Sequence, residues 1–164
     1  MKRFILLFVT LLVSCISYAN TTGHSLFQFE RSKNRNYICY DVNTTNEIID
    51  RKDPIHAYWI QAETDGKTNE LSFFQKKMAF GYKIVNSGSN DITITLQAYD
   101  KLLIHVYKKD GKWVATTKMN GREIIITKMY AQLRSPKSLH VEYVDIYGKT
   151  LKGGEQVCER IKNS

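Results

Sequence analysis

Apolar and polar residues alternate with a period of two along most of this chain, the pattern of β-strands with one buried face. In YICYDV (37–42), Ile38, Tyr40 and Val42 share one side, and Tyr37, Cys39 and Asp41 the other. The first set is the natural core face. DITITLQAY (91–99) alternates strictly, which predicts Ile92, Ile94, Leu96 and Ala98 inward. IHAYWIQ (55–61), YKIV (82–85), KLLIHVYKK (101–109), KWVATTKM (112–119), REIIITKMYAQL (122–133), SLHVEYVDIYG (138–148) and EQVCERI (155–161) also read as strands. Asp110-Gly111 and Asn120-Gly121 predict two-residue hairpins, because both central positions need positive φ. NTTNEIIDRKDP (43–54) and AETDGKTNE (62–70) read as connections, the latter turning at Asp65-Gly66.

One segment departs from this period. SFFQKKMAFG (72–81) predicts a helix of about two turns. Ser72 and Gln75 have capping-box spacing, Phe74 and Met78 sit four apart, and Gly81 is placed to end the helix. The sum is a mainly β domain over residues 34–164: an antiparallel barrel or sandwich of about eight or nine strands with one short α-helix. Such a chain must close its sheet or pair two sheets, since open edges invite aggregation.

Ahead of the domain, residues 20–33 are polar apart from LFQF and read as a leader. Residues 1–19 have the form of a secretory signal peptide: Lys2 and Arg3, an apolar run over 4–13 broken only by Thr10, then small residues ending in Ser-Tyr-Ala. The alternative is a lipoprotein signal over 1–14, with LVSC placing Cys15 for lipidation. Both readings imply export, to the periplasm or the outer membrane. The second allows membrane association only through the lipid anchor.

The full chain of 164 residues carries a formal charge of +8, and loss of Lys2 and Arg3 with a signal would leave +6. The lysines and arginines are scattered, with no run longer than two, which reads as a solvated surface and predicts no specific nucleic-acid partner.

With Cys15 removed or lipidated, Cys39 and Cys158 remain, an even number in an exported chain. Alternation puts both on outward faces. A disulfide between the first and last strands of the domain would close the sheet if those strands were neighbours, with Cα atoms within roughly 7 Å. It would be worth about 4–5 kcal/mol by loop entropy, less any strain. A catalytic thiol or a metal site is the weaker reading. His56, His105 and His140 fit no cysteine-hydrolase signature, there is no CxxC or HExxH, and no phosphate-binding glycine loop suggests a cofactor. The expectation is no metal and no cofactor. In DPIHAYWIQ, His56, Tyr58 and Ile60 share one face, and Ile55, Ala57, Trp59 and Gln61 the other. Trp59 suits core packing and Tyr58 a rim, or the two could form a ligand wall.

The order of these segments resembles the domain of unknown function 4833 family, exported bacterial proteins of about this size. The resemblance rests on Asn34 and Asn36 leading into a strand ending in Tyr40-Asp41, on Asp53-Pro54 turning into a strand with Tyr58-Trp59, and on a helix ending in Ala79-Phe80-Gly81. It covers nearly the whole chain after the signal and implies an exported domain without naming an activity. Cys39 departs from the aliphatic residue the family leads one to expect, which suits a staple better than a shared catalytic role. Tyr40, Asp41, Asp53, His56, Tyr58 and Trp59 are the candidate binding residues. The expected function is a non-enzymatic ligand- or partner-binding protein of the cell envelope. The alternatives are an envelope hydrolase using Asp41 and Asp53, or a structural component of an envelope assembly.

Overall fold

The computed structural model describes residues 22–162 except 136 and 139; the expected signal peptide and Cys15 lie outside the described residues. Among the described residues, twelve strands form one sheet. They are β1 (Thr22–Arg31), β2 (Asn34–Thr45), β3 (Ile48–Ile49), β4 (Ile55–Gln61), β5 (Lys67–Glu70), β6 (Tyr82–Ser87), β7 (Asp91–Leu96), β8 (Tyr99–Lys109), β9 (Lys112–Met119), β10 (Arg122–Leu133), β11 (Val141–Thr150) and β12 (Gln156–Lys162). A helical segment separates β5 from β6: α1 (Phe73–Gln75), continued by a π turn over Lys76–Phe80. The sheet is curled into a half-barrel.

The count exceeds the expected eight or nine: three short or irregular strands lie beyond the nine segments read as strands. The segment expected as a leader is β1, inserted between β2 and β10. Two register shifts interrupt its pairing with β2, and Leu26 and Phe27 are both buried, so it lacks clean alternation. His24 in this strand pairs with Val42. Strand β3 has two residues, too few to show a period although Ile49 is buried, and β5 is an edge strand exposed at all four positions, with no buried face to reveal it. Asn46 and Glu47 turn β2 into β3 at positive φ, 51° and 64°.

The sheet forks at β10. One edge of β10 pairs over Arg122–Ile125 with antiparallel β9, and farther along, over Lys128–Ala131, with parallel β1. Two wings diverge from that edge: β1-β2-β4-β5 and β9-β8-β7-β6. The other edge of β10 carries β11, then β12. A bulge at Thr127 resets the phase of β10, so Ile124 and Ile126 point inward before it and Met129, Ala131 and Leu133 after it.

The wings face each other across one core. Phe27, Ile38, Tyr40, Val42 and Ile55 from the first pack with Ile92, Ile94, Ile104, Val106 and Ala115 from the second. The inward alternation expected of Ile92, Ile94 and Leu96 holds; Ala98 is exposed, beyond the end of β7. At one end polar stitches join the wings. Asn90 accepts from the Ile49 amide at 3.1 Å and donates to the Glu47 carbonyl at 3.2 Å, Arg51 donates to the Gly88 carbonyl, and Lys108 pairs with Glu47. The opposite end is open.

The expected disulfide is absent: Cys39 and Cys158 are free thiols. Both lie on the outer face, as alternation predicts. They even share one cross-sheet row, Cys39–Gln28–Lys128–Tyr147–Cys158. That row is the reason they cannot bond. Strands β1, β10 and β11 stand between them, a separation of four strand spacings or about 19 Å along the sheet, far beyond the reach of a disulfide.

Candidate functional site

The open end of the half-barrel holds a cleft of about 510 Å³. Its position follows from the fork: the two wings separate there, and β11 and β12 form the third side. Phe29 on β1 and Tyr40 on β2 line one wall, Leu96 and Leu102 the facing one. Met129, Ala131, Val144 and Ile161 supply the back, and Met78, Ala79 and Phe80 of the helical segment roof it. The volume lies within the usual range for small-molecule sites of about 300–1,000 Å³.

The roof is held by specific hydrogen bonds. Ser72 and Gln75 form the capping box anticipated from their spacing, the Gln75 amide donating to Ser72 Oγ and Gln75 Oε1 accepting from the Ser72 amide. The Gly81 amide donates to the Lys76 carbonyl at 3.0 Å, so the segment stops at Gly81 as expected. A Cβ at Gly81 would lie 2.2 Å from that carbonyl oxygen, and the close approach requires glycine. The Ala98 amide donates to the Ala79 carbonyl and the Gln97 amide to the Gly81 carbonyl, tying the roof to the β7–β8 turn. From below, the hydroxyl of fully buried Tyr40 donates to the Phe80 carbonyl at 2.8 Å. Its ring stacks on Phe27 at 4.6 Å between centroids, and burial pushes the phenol far above its ordinary pKa.

Polar groups in the lining are almost all cationic or neutral. Arg31 forms part of the wall, Lys33, His140 and Lys162 stand at the mouth, and no aspartate or glutamate lines the cleft among the described residues. Arg31 is the unusual one. It is half-buried, its guanidinium lies 4.8 Å from the Trp59 ring centroid and 5.3 Å from that of Phe80, and its Nε is buried without a hydrogen-bond acceptor. Burial alone pulls its pKa below the ordinary arginine value. A guanidinium normally pairs with a carboxylate when taken from water; among the described residues Arg31 has none. Arg31 also borders a shallower polar hollow of about 300 Å³, with Asn36, Trp59, Gln61, Asn69 and Glu70.

The six residues singled out from sequence fall in three places. Tyr40 and Trp59 are on the inner face, the first in the cleft wall and the second against both Arg31 and Phe80. Asp41, His56 and Tyr58 are on the outer face. There the Tyr58 hydroxyl donates to Asp41 Oδ2 at 3.0 Å, and His56 Nε2 lies 2.7 Å from Glu70 Oε1. Burial first, then the Asp41 carboxylate, raises the Tyr58 phenol; burial and the same carboxylate raise the neighbouring Cys39 thiol. A thiol shifted that way stays protonated and is a poor nucleophile. Asp53 lies in the loop before β4 and accepts from the Tyr82 hydroxyl at 3.2 Å. Neither Asp41 nor Asp53 lines the cleft or the hollow. No group of three or more His, Cys, Asp or Glu side chains suited to a metal ion occurs among the described residues.

Phe29, Arg31, Met129 and Leu102 escaped the sequence reading. The apolar patch LFQF was the only local hint, and it lay in the segment read as a leader. No local pattern could mark Arg31, because what distinguishes it is the absence of a partner in three dimensions.

No curated protein and no solved structure matches this chain. The model of one family, described as Domain of unknown function (DUF4833), matches residues 27–160, from Phe27 in β1 nearly to the end of β12. That span contains both wings, the roof and the cleft, and the chain belongs to the domain of unknown function 4833 family.

Proposed function

We propose that this protein is a non-enzymatic binder of an amphiphile, taking an apolar chain into the cleft and an anionic group to Arg31. The observation that carries the reading is the half-buried guanidinium without a carboxylate partner among the described residues, set in the wall of a mostly apolar cleft. An incoming anion would supply the partner that the fold omits, and charge-assisted bonds to arginine are the strong class. Each methylene moved from water into the cleft contributes about 0.8 kcal/mol, against the cost of immobilising the ligand. Asn36, Gln61 and Asn69 in the adjoining hollow offer amides to the polar part of the ligand. Binding in the bacterial envelope, after export directed by residues 1–19, belongs to this proposal. The hydrolase and structural-component readings have no comparable observation behind them.

The test is displacement of a fluorescent fatty acid by a saturated fatty acid and by the alcohol of equal length. The acid should win by about 10- to 100-fold, the equivalent of one charge-assisted bond. Arg31→Met should remove that preference while keeping affinity for the alcohol. Absence of any saturable binding, or an unchanged preference in the variant, would sink the proposal.

A further inference from the structure

The roof of the cleft exposes three large apolar side chains. Phe73 and Phe74 are each 75% exposed and Met78 67%. The exposure is not that of a frayed segment. The capping box, buried Leu71, the bond from Tyr40 to the Phe80 carbonyl and the bond from the Ala98 amide hold this turn in place. A fixed element that presents apolar groups to water marks a contact surface. Its chemistry narrows the partner. Lys76 and Lys77 flank the apolar residues, and Lys77 Nζ lies 5.9 Å from the Phe73 ring centroid. The exposed β6 edge strand follows with Lys83, Ile84 and Val85. From 71 to 90 the chain has three lysines and no aspartate or glutamate. Lys76 lies 3.7 Å from Glu70, an exposed carboxylate also engaged by His56, while no carboxylate pairs with Lys77 among the described residues. Aromatic and aliphatic side chains interleaved with lysines match the interface of an anionic bilayer, where apolar tips enter the acyl boundary and ammonium groups meet phosphates.

We infer that the turn carrying Phe73, Phe74 and Met78 docks on an anionic phospholipid surface, placing the cleft mouth against the bilayer. Met78 connects the two features, since it is exposed on the turn and also lines the cleft. The route for an amphiphile from membrane to cleft then runs along one side chain. That route rests on the ligand reading above; the docking surface itself does not.

The test uses the full chain carrying Phe74→Trp, with vesicles of phosphatidylcholine alone or mixed with phosphatidylglycerol. The apolar run over residues 4–13 could hold a full chain on a vesicle by itself, so co-sedimentation is not the readout. The readout is quenching of the introduced indole by lipids brominated along their acyl chains, after subtracting the Trp59 and Trp113 signal of the unsubstituted chain. Quenching is expected on the phosphatidylglycerol vesicles. Lys76→Gln together with Lys77→Gln should weaken it at least about fivefold, since each lysine near an anionic surface contributes about that factor. Phe73→Trp provides a second probe at an equally exposed position. An indole that stays in water while the chain is on the vesicle overturns the inference, as does equal quenching on neutral vesicles. A blue shift without vesicles that grows with protein concentration would assign the surface to a second copy instead. Fatty-acid displacement in vesicle-free solution, measured on the same variant, separates the two proposals: retained displacement without quenching rejects the docking surface alone, and quenching without displacement rejects the ligand reading alone.

Discussion

Replacing Tyr40 with phenylalanine isolates the one hydroxyl that joins the core to the roof of the cleft. The ring remains: it is fully buried, stacked on Phe27 and surrounded by aliphatic residues, and phenylalanine keeps that packing. Only the 2.8 Å bond to the Phe80 carbonyl is lost. Its removal leaves a carbonyl without that donor, at a cost of about 1–3 kcal/mol. For a chain of this size that should lower the melting midpoint by roughly 3–10 °C. The loss should be felt at the roof first, so the Ala98 amide, which donates to the Ala79 carbonyl, should exchange faster in Tyr40→Phe while amides of β9 and β10 follow only the global change. Thermal melting and residue-resolved hydrogen exchange read the two effects. An unchanged midpoint with unchanged Ala98 protection would refute the role given to this hydroxyl.

Three further predictions follow from the sheet. Arg160 Nε and Nη2 hold Asp145 at 2.7 and 2.8 Å, and these bonds keep the Asp145 carboxyl below its ordinary value of 3.8. The group is depressed in the folded state, so its contribution is complete above the unfolded value and is lost as pH falls through the folded one. Acid titration of stability should therefore lose part of its low-pH limb in Asp145→Asn, and an identical limb would contradict the pairing. In a chain carrying Cys15→Ser, Cys158 should react quickly with a thiol reagent and buried Cys39 only on unfolding, with no mass change on reduction; a two-hydrogen gain on reduction would restore the disulfide. Gly81→Ala forces a Cβ against the Lys76 carbonyl and should destabilise by about 1–3 kcal/mol in a denaturant melt, whereas a neutral result would deny the close approach.

What the sequence revealed and what it hid divide along local and non-local physics. Strands β4, β9 and β10 have the bounds read from the sequence, and Asp110-Gly111 and Asn120-Gly121 turn at positive φ as their composition requires. The capping box was readable because its partners lie three residues apart. Strand β1 was not, because its bulges break the period and its place between β2 and β10 is set by pairing with distant residues. The same limit undid the disulfide: the outward faces of Cys39 and Cys158 follow from alternation, but the three strands between them do not. Trp59, from the strand densest in aromatic residues, and Tyr40, marked by the family resemblance, do stand at the cleft end. Asp41, Asp53 and His56 were chosen for their chemistry, and the sheet sends them elsewhere.

The most direct test of the ligand site is calorimetric titration of a saturated fatty acid into the wild-type chain and into Ala98→Trp. Ala98 is exposed at the cleft, so an indole there blocks the opening without entering the core. The wild type should bind one equivalent with a negative heat-capacity change, the mark of apolar burial, and Ala98→Trp should melt like the wild type yet bind at least tenfold more weakly. Equal binding by the two would place the ligand outside the cleft and contradict the proposed function.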